Sequence, residues 1–228
     1  APEGSLLDPR PPAAVVGGNV ETSQRVTDVA LAAFAEAVPD LVPAGGQGTM
    51  NNLIIGDRGG EFTYYETIAG GFGGRPSKDG MDGVQVGMTN TLNTPVEALE
   101  TAYPLRVERY ALRPSSGGDG RHRGGLGVER TVTVETDATV SLLTERRRTA
   151  PRGLDGGEDG AVGANLIDGE PVPAKASVDV AAGTTVSVRT PGGGGHGDPA
   201  ERDPDARERD RLDGKVDDGD DDPTDDRL

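Results

Sequence analysis

Three side chains in two short stretches have the types that general-base catalysis and oxyanion stabilisation require. Glu66, in "YYETIAGG", ends a predicted strand beside a glycine turn, where its carboxylate could accept a proton from water. Asn90 and Asn93, in "TNTLNTP", precede a predicted helix, and their amides could donate to a developing oxyanion near the positive helix end. Each has a structural alternative: Glu66 as a surface carboxylate, and the asparagines as loop residues that satisfy backbone groups.

A second group of residues could bind a substrate anion. Arg75 and Asp79, in "GGRPSKDG", lie in a glycine loop where a substrate carboxylate could meet the guanidinium. A structural salt bridge between the two is the alternative. His122, in "GRHRGG", lies between arginines and could bind an anion once protonated, or be part of a solvated turn.

The glycine run in "RTPGGGGHGDP" (residues 189–199) could form a phosphate-binding loop, a linker or a turn. No Gly-Lys-Ser/Thr follows it, and a proline with an acidic stretch stands where a helix would be needed. A phosphate site is therefore not favoured.

Composition excludes several classes of protein. The chain has no cysteine and only two histidines, far apart, so it offers no local metal ligand set, and we predict no metal site within it. Its net charge of −16 would repel nucleic acid and anionic membranes. Without a leader or a long apolar run, we expect a cytoplasmic protein. Lysine is scarce beside arginine, which favours a halophilic protein over an ordinary acidic one.

The elements around these residues follow from periodicity. The stripe of a helix that ends before Pro39 is formed by Val26, Val29, Ala30, Ala33, Phe34 and Ala37. A short helix follows Thr94, for which Thr94, Pro95 and Glu97 predict a capping box. Strands are predicted at 51–56, 62–69, 105–113, 127–136, 138–144, 164–172 and 184–190, with a hairpin turn at 168–169.

These elements predict an α+β fold. A glycine-rich mixed region with one long and one short helix (residues 1–104) precedes a β-rich sandwich or barrel-like unit (105–197) of the same domain. Residues 198–228 carry 14 acidic and 6 basic side chains, so we expect a disordered tail that the fold does not need. Aromatic residues make up only 3% of the chain, so we expect the side chains of its core to be small. We infer that the fold uses surface from another chain or from further sequence.

Seven stretches, in order over residues 2–199, resemble the C-terminal half of the hydantoinase B/oxoprolinase family. They are "PEGSLLDPRPPAAVVGGNVETSQRV", "GQGTMNNLIIG", "YYETIAGGFGGRPSKDGMDG", "MTNTLNTPVEALE", "YPLRVERYALRPSSGGDGRHRGGLGVER", "SLLTERRRTAPRGLDGG" and "TPGGGGHGDP". The resemblance implies that the glycine run is the family's closing turn motif. Gly87 stands where we expect many relatives to carry histidine, which weakens any claim for a metal ligand there.

The resemblance implies a component that opens a cyclic amide, such as 5-oxoproline or a hydantoin, at the expense of ATP. It further implies that the ATP is held by an A-type subunit, that an N-terminal half of the B component completes the site, and that any divalent metal has its ligands outside this chain. Glu66, Asn90 and Asn93 would then be catalytic, and Arg75, Asp79 and His122 would bind substrate. The alternatives are an alpha-subunit-like part of an acetone-type carboxylase and a non-catalytic module that docks the A-type subunit.

Overall fold

The chain, described by a computed structural model over residues 1–5, 7–13 and 17–216, combines helices with two antiparallel sheets. The helices are α1 (Gly17–Ala35), α2 (Val96–Ala102) and α3 (Pro204–Leu212). The strands are β1 (Asn52–Asp57), β2 (Thr63–Thr67), β3 (Leu105–Leu112), β4 (Val128–Val134), β5 (Ala138–Leu143), β6 (Ala164–Ile167), β7 (Glu170–Pro171), β8 (Lys175–Val180) and β9 (Thr185–Arg189).

The two sheets form a sandwich-like unit, which confirms the predicted α+β class. One sheet has the strand order β2-β1-β5-β8 and the other β3-β4-β9-β6-β7. Alternate residues of each sheet point into a shared core, such as Leu53 and Ile55 from β1 and Val132 from β4, all fully buried. Strand β1 belongs to the first predicted part of the domain (residues 1–104) and β5 to the second (105–197). Their pairing joins the two parts in one sheet.

Local sequence patterns predicted most of the strands correctly. The hairpin between β6 and β7 turns at Asp168 and Gly169, whose φ angles of 50° and 82° match the mirror-image turn that Asp-Gly favours. Strand β8 is not among the predicted strands. Its polar residues are lysine, serine and aspartate, and its apolar alternation is weak, with mainly Val178 and Val180 packing inward.

Residues 191–197, here called the glycine spine, are buried along their whole length. The spine is not a turn. It runs through the interior and forms backbone hydrogen bonds with four other segments: residues 44–47, 70–74, 116–125 and 151–161. For example, Gly193 donates to the Gly125 carbonyl and Gly194 donates to the Gly45 carbonyl, each at 2.8 Å. The predicted closing turn motif is therefore a central buried segment outside the named strands, and its N–H groups are bonded internally rather than available for phosphate.

The spine requires glycine because neighbouring backbone approaches too closely for a side chain. A Cβ at Gly193 would lie 2.2 Å from the carbonyl oxygen of Phe72, and one at Gly194 would lie 2.2 Å from that of Arg152. Several glycines in the neighbouring segments are also required, because the backbone of the spine approaches them too closely for a side chain. A Cβ at Gly124, for instance, would lie 1.9 Å from the Gly193 carbonyl oxygen.

The predicted capping box before α2 is wrong. Pro95 is the N-cap residue, with φ −56° and ψ 141°, and no side chain caps the helix. The helix therefore starts one residue later than predicted, and Glu97 is exposed to solvent. The backbone N–H of Thr94 instead donates to the carboxylate of Glu66, which holds Thr94 outside the helix.

The expectation of a disordered tail from residue 198 is wrong for residues 199–216, because buried ion pairs attach them. Arg202 makes a two-pronged contact with Asp79, at 2.8 and 2.9 Å, and also pairs with Asp210 of α3. Asp210 pairs in turn with Arg123 at 3.2 Å. Charge patterning alone suggested a solvated tail, but these charges find opposite partners inside the protein. The rest of the predicted tail, residues 217–228, lies outside the described residues.

Helix α1 exposes its apolar stripe and buries polar side chains. The exposed fractions of Val26, Val29 and Phe34 are 44%, 59% and 61%, whereas those of Glu21 and Gln24 are 4% and 1%. The stripe predicted the helix correctly, but it faces solvent instead of the core.

We predict that Arg202→Ala lowers the free energy of unfolding by about 3 kcal/mol, because it removes the charge that Asp79 and the buried Asp210 share and leaves Asp210 with Arg123 alone. Burial raises the pKa of Asp79, but the hydrogen bonds and charge of Arg202 and the charge of Arg123 outweigh it, so the net pKa is lowered. The stabilisation is therefore present above about pH 4 and is lost as the pH falls further. Denaturant melts at pH 7 and pH 3 measure both effects.

Arg209→Ala, on the exposed side of α3, is the matched control and should change stability by less than about 0.5 kcal/mol. Equal melting of the Arg202 variant and the parent chain would contradict an anchoring role for residues 199–216.

Candidate functional site

Glu66 lies where β2 meets the loop that enters α2. It is 5% exposed, and its side chain points into the space between the two sheets, on the same face of β2 as Tyr64. Its Oε1 atom accepts a hydrogen bond from the backbone N–H of Thr94 at 3.2 Å. The structure therefore brings together two of the segments that the sequence singled out, the end of β2 and the loop before α2.

Arg130 faces Glu66 across the sandwich. It lies on β4, on the same inward face as Val132, and is 1% exposed. Its Nε atom is 3.3 Å from Glu66 Oε2, so the two form a buried ion pair. The ring of Tyr110, opposite Arg130 on β3, lies 4.9 Å from the guanidinium carbon. The Asn93 side-chain amide donates to the Tyr110 hydroxyl.

Several polar atoms of this cluster have no hydrogen-bond partner among the described residues. They are all three guanidinium nitrogens of Arg130, Oε2 of Glu66, the hydroxyl of Tyr64 and Oδ1 of Asn93. The Arg130–Glu66 contact is close enough for charge attraction but not aligned as a hydrogen bond. A buried polar group left without a partner costs about 1–3 kcal/mol, and more if it is charged. Such a cluster is typical of a site that binds a polar molecule or water.

The electrostatics of the cluster keep its tyrosines protonated. Burial, and then the negative charge of Glu66, raise the pKa of Tyr64 well above its usual value. Burial also raises the pKa of Tyr110, although the nearby Arg130 charge opposes this shift. At neutral pH both phenols are therefore hydrogen-bond donors, and Tyr64 can donate to an oxygen placed between Glu66 and Arg130.

The predicted substrate-binding residues lie in a second group, built around Asp79. Arg75 donates to the backbone carbonyl of Asp79, at 2.5 and 3.1 Å, and not to its carboxylate. The alternative of an Arg75–Asp79 salt bridge is therefore wrong, since the carboxylate is taken by Arg202. His122 Nδ1 is 3.9 Å from Asp79 Oδ1. Burial lowers the pKa of His122 despite the Asp79 charge, which leaves the imidazole neutral at pH 7. The substrate-binding roles stay predictions.

Of the predicted catalytic residues, Glu66 and Asn93 belong to the Arg130 cluster, whereas Asn90 is exposed on the loop before α2. Sequence reasoning missed Arg130, Tyr64 and Tyr110. The available signal was a charged residue at an inward position of a strand: the alternation of "GVERTVTV" assigns Arg130 to the same face as three valines.

The part of the chain that the structure describes gives little support for a metal-binding site or a nucleotide-binding site. No group of three or more potential metal ligands comes together there. The glycine spine cannot cradle phosphate, because its N–H groups are buried and bonded to backbone carbonyls. None of the helices in residues 1–5, 7–13 and 17–216 is long and apolar enough to cross a membrane.

The chain is similar in sequence and in fold to several known proteins. The family Hydantoinase B/oxoprolinase matches residues 1–199. 5-oxoprolinase 1 of Arabidopsis thaliana is 48% identical over 201 residues, which are 86% of this chain and 15% of the plant protein. A protein of Pseudomonas sp. (strain NS671), a candidate B-type component of a D-/L-hydantoinase, is 36% identical over 95% of this chain and 38% of its own length. The chain therefore spans well under half the length of these relatives.

Among solved structures, the ATP-dependent caprolactamase from Pseudomonas jessenii superimposes with a TM-score of 0.69 at 25% identity. The match covers 82% of this chain and 35% of the caprolactamase chain.

We predict that Glu66 and Arg130 are energetically coupled by about 3 kcal/mol. Glu66→Gln and Arg130→Met should each destabilise strongly, because each leaves an uncompensated buried polar group, while the double variant should cost far less than the sum. A double-mutant cycle on denaturant midpoints measures the coupling. Arg106 and Glu135, an exposed pair 3.4 Å apart, provide the matched cycle and should couple by less than about 1 kcal/mol. Additive effects at Glu66 and Arg130 would show that the two charges are not paired in solution.

Proposed function

The chain belongs to the hydantoinase B/oxoprolinase family, and we propose that it is part of an ATP-dependent enzyme that hydrolyses a cyclic amide, with the Glu66–Arg130 pair as the site that binds the amide. The observation that supports this is the buried guanidinium without a hydrogen-bond partner, next to an unpartnered carboxylate oxygen and a tyrosine hydroxyl. Relatives named 5-oxoprolinase and caprolactamase act on cyclic amides, in keeping with this substrate class.

A donor beside an acceptor fits a cyclic amide better than an open one. A small lactam ring forces the amide to be cis, so its N–H and C=O groups lie on the same edge. An open secondary amide is almost always trans and presents them on opposite edges. Arg130 nitrogen and Glu66 oxygen, 3.3 Å apart, offer the complementary edge for the cis form. The lactam carbonyl would accept from Arg130 and Tyr64, and its N–H would donate to Glu66.

The same side chains can assist ring opening. Water forms a bond to the carbonyl carbon while the carbon–nitrogen bond breaks, and one proton passes from water to the ring nitrogen. Glu66 would carry that proton, as a base toward water and then as an acid toward nitrogen. Arg130 and Tyr64 would stabilise the negative charge that grows on the oxygen. Asn93 positions Tyr110, whose half-exposed ring covers Arg130, so we expect the substrate to enter on that side.

Activation of the amide is the part of the chemistry that we assign to ATP, held by a hydantoinase A-type subunit. Phosphoryl transfer from ATP to the lactam oxygen would release ADP and make the carbonyl carbon a better electrophile; after water adds to that carbon, the transferred group would leave as inorganic phosphate. We propose that the remainder of the B component completes the site, that any divalent metal has its ligands there, and that the complex works in the cytoplasm. In that completed site, Asn90 would take part in catalysis, and Arg75, Asp79 and His122 would bind substrate.

Two other functions stay open as outcomes of experiment. Carboxylation of a small ketone would require bicarbonate-dependent turnover, and an assembly module would dock the A-type subunit without contributing to turnover. Neither accounts for the unpartnered donor and acceptor in the cluster.

The test is the pair Tyr64→Phe and Tyr65→Phe in the complete, two-component enzyme. Tyr64→Phe removes one donor to the reacting oxygen, and we expect lactam-dependent turnover to fall by about 10²-fold or more. Its stability should change by no more than about 1 kcal/mol, because the hydroxyl has no hydrogen-bond partner to lose among the residues described. Tyr65, the adjacent residue on the opposite face of β2, loses the same atom without touching the cluster.

Turnover is followed as ring opening and as coupled ATP hydrolysis, with δ-valerolactam as substrate and N-methylacetamide as the open-chain comparison. Equal activity of the two variants would remove the cluster from the active site. Bicarbonate-dependent consumption of acetone by the parent enzyme would favour the carboxylase instead.

A further inference from the structure

Helix α1 is amphipathic in the reverse of the usual sense. Its outer face, made of Val26, Val29, Ala30, Ala33 and Phe34, is turned to solvent. A surface helix normally turns its apolar stripe to the core and its polar residues to water. Contiguous exposed apolar patches of this kind mark sites of interaction.

The orientation of α1 is fixed by specific polar contacts, so the outward stripe is not a consequence of a loosely placed helix. Glu21 accepts a hydrogen bond from the Met50 N–H at 3.0 Å, and Gln24 accepts one from the Met88 N–H at 3.2 Å. Asp28 pairs with Arg25 and with the largely buried Arg146. Rotating the helix to bury its stripe would break all of these contacts.

We propose that the outer face of α1 docks the part of the hydantoinase B component that lies outside this chain. The chain covers 38% of the hydantoinase relative from Pseudomonas sp. (strain NS671), so most of such a component is polypeptide that could supply the missing apolar surface. Apolar, aliphatic and aromatic contact surfaces are typical of permanent interfaces, which resemble a core cut in half. A loosely associating partner would leave this stripe in water for part of the time.

Other occupants fit the surface less well. Residues 217–228 contain seven aspartates and a single leucine, so they cannot cover an apolar stripe. An anionic membrane would be repelled by the net charge of −16. Two more occupants, a second copy of the chain and the A-type subunit, are separate outcomes of the experiment below.

The experiment compares the isolated 228-residue chain with a chimera in which this chain replaces the matching region of the Pseudomonas hydantoinase relative. Amide hydrogen exchange in residues 26–35 should be at least about 10-fold slower in the chimera. Val29→Asp should restore fast exchange and lower the chimera's denaturation midpoint, yet leave the isolated chain unchanged. Leu212→Asp, the same kind of change at a 71% exposed leucine of α3, should affect neither protein.

A second measurement serves if the chimera does not fold. The chain has no cysteine, so Val29→Cys provides a unique thiol. Its alkylation rate in the 228-residue chain should fall on addition of the separately expressed remainder of the Pseudomonas relative, while that of Leu212→Cys stays constant.

Three results would overturn the proposal. The first is equal exchange and equal alkylation with and without the remainder of the component. The second is a concentration-dependent dimer of the isolated chain that Val29→Asp abolishes, which would make the occupant a second copy. The third is protection of α1 only on addition of the A-type subunit.

Discussion

Backbone-to-backbone packing along the glycine spine is the constraint on which the rest of the structure depends. Residues 191–197 contact four segments that are far apart in the sequence, and nearly all of these contacts join N–H and C=O groups. The glycine positions of the spine leave no room for a side chain: a Cβ at Gly193 would lie 2.2 Å from the Phe72 carbonyl oxygen. A chain with 36 glycines loses much conformational entropy on folding, and the buried N–H and C=O groups of the spine need hydrogen-bond partners, which these contacts provide.

The spine also explains how the site is placed. Strand β2 carries Glu66 and runs directly into residues 70–74, where Gly71 donates to the Pro191 carbonyl. Strand β4 carries Arg130 and follows Gly125, whose carbonyl accepts from Gly193. The two strands are thus tied to neighbouring positions of one spine although they lie in different sheets. This common attachment holds the buried carboxylate and the guanidinium opposite each other across the sandwich.

Local patterns predicted most of the fold, whereas long-range pairing decided the rest. Alternation and the Asp168–Gly169 turn located the strands, because those signals lie within a few residues of each other. The capping box failed because Glu66, 28 positions before Thr94, competes for its N–H group. The ordered segment after residue 198 failed because Arg202 pairs with Asp79, 123 positions earlier. Of the cluster, Glu66 and Asn93 were recognisable from their positions next to turns. Arg130 was not, since only the fold shows which carboxylate it meets.

The most direct measurement of this account is the stability of Gly193→Ala against that of Gly46→Ala. The atoms nearest to a Cβ at Gly46 would be those of the Val86 side chain, at an ordinary 3.5 Å, so this variant should melt close to the parent chain. Gly193→Ala should yield no folded protein, or a chain destabilised by more than about 4 kcal/mol, a loss reserved for severe disruption of a core. If Gly193→Ala folds and melts within a few degrees of Gly46→Ala, the spine is not the element that holds the molecule together.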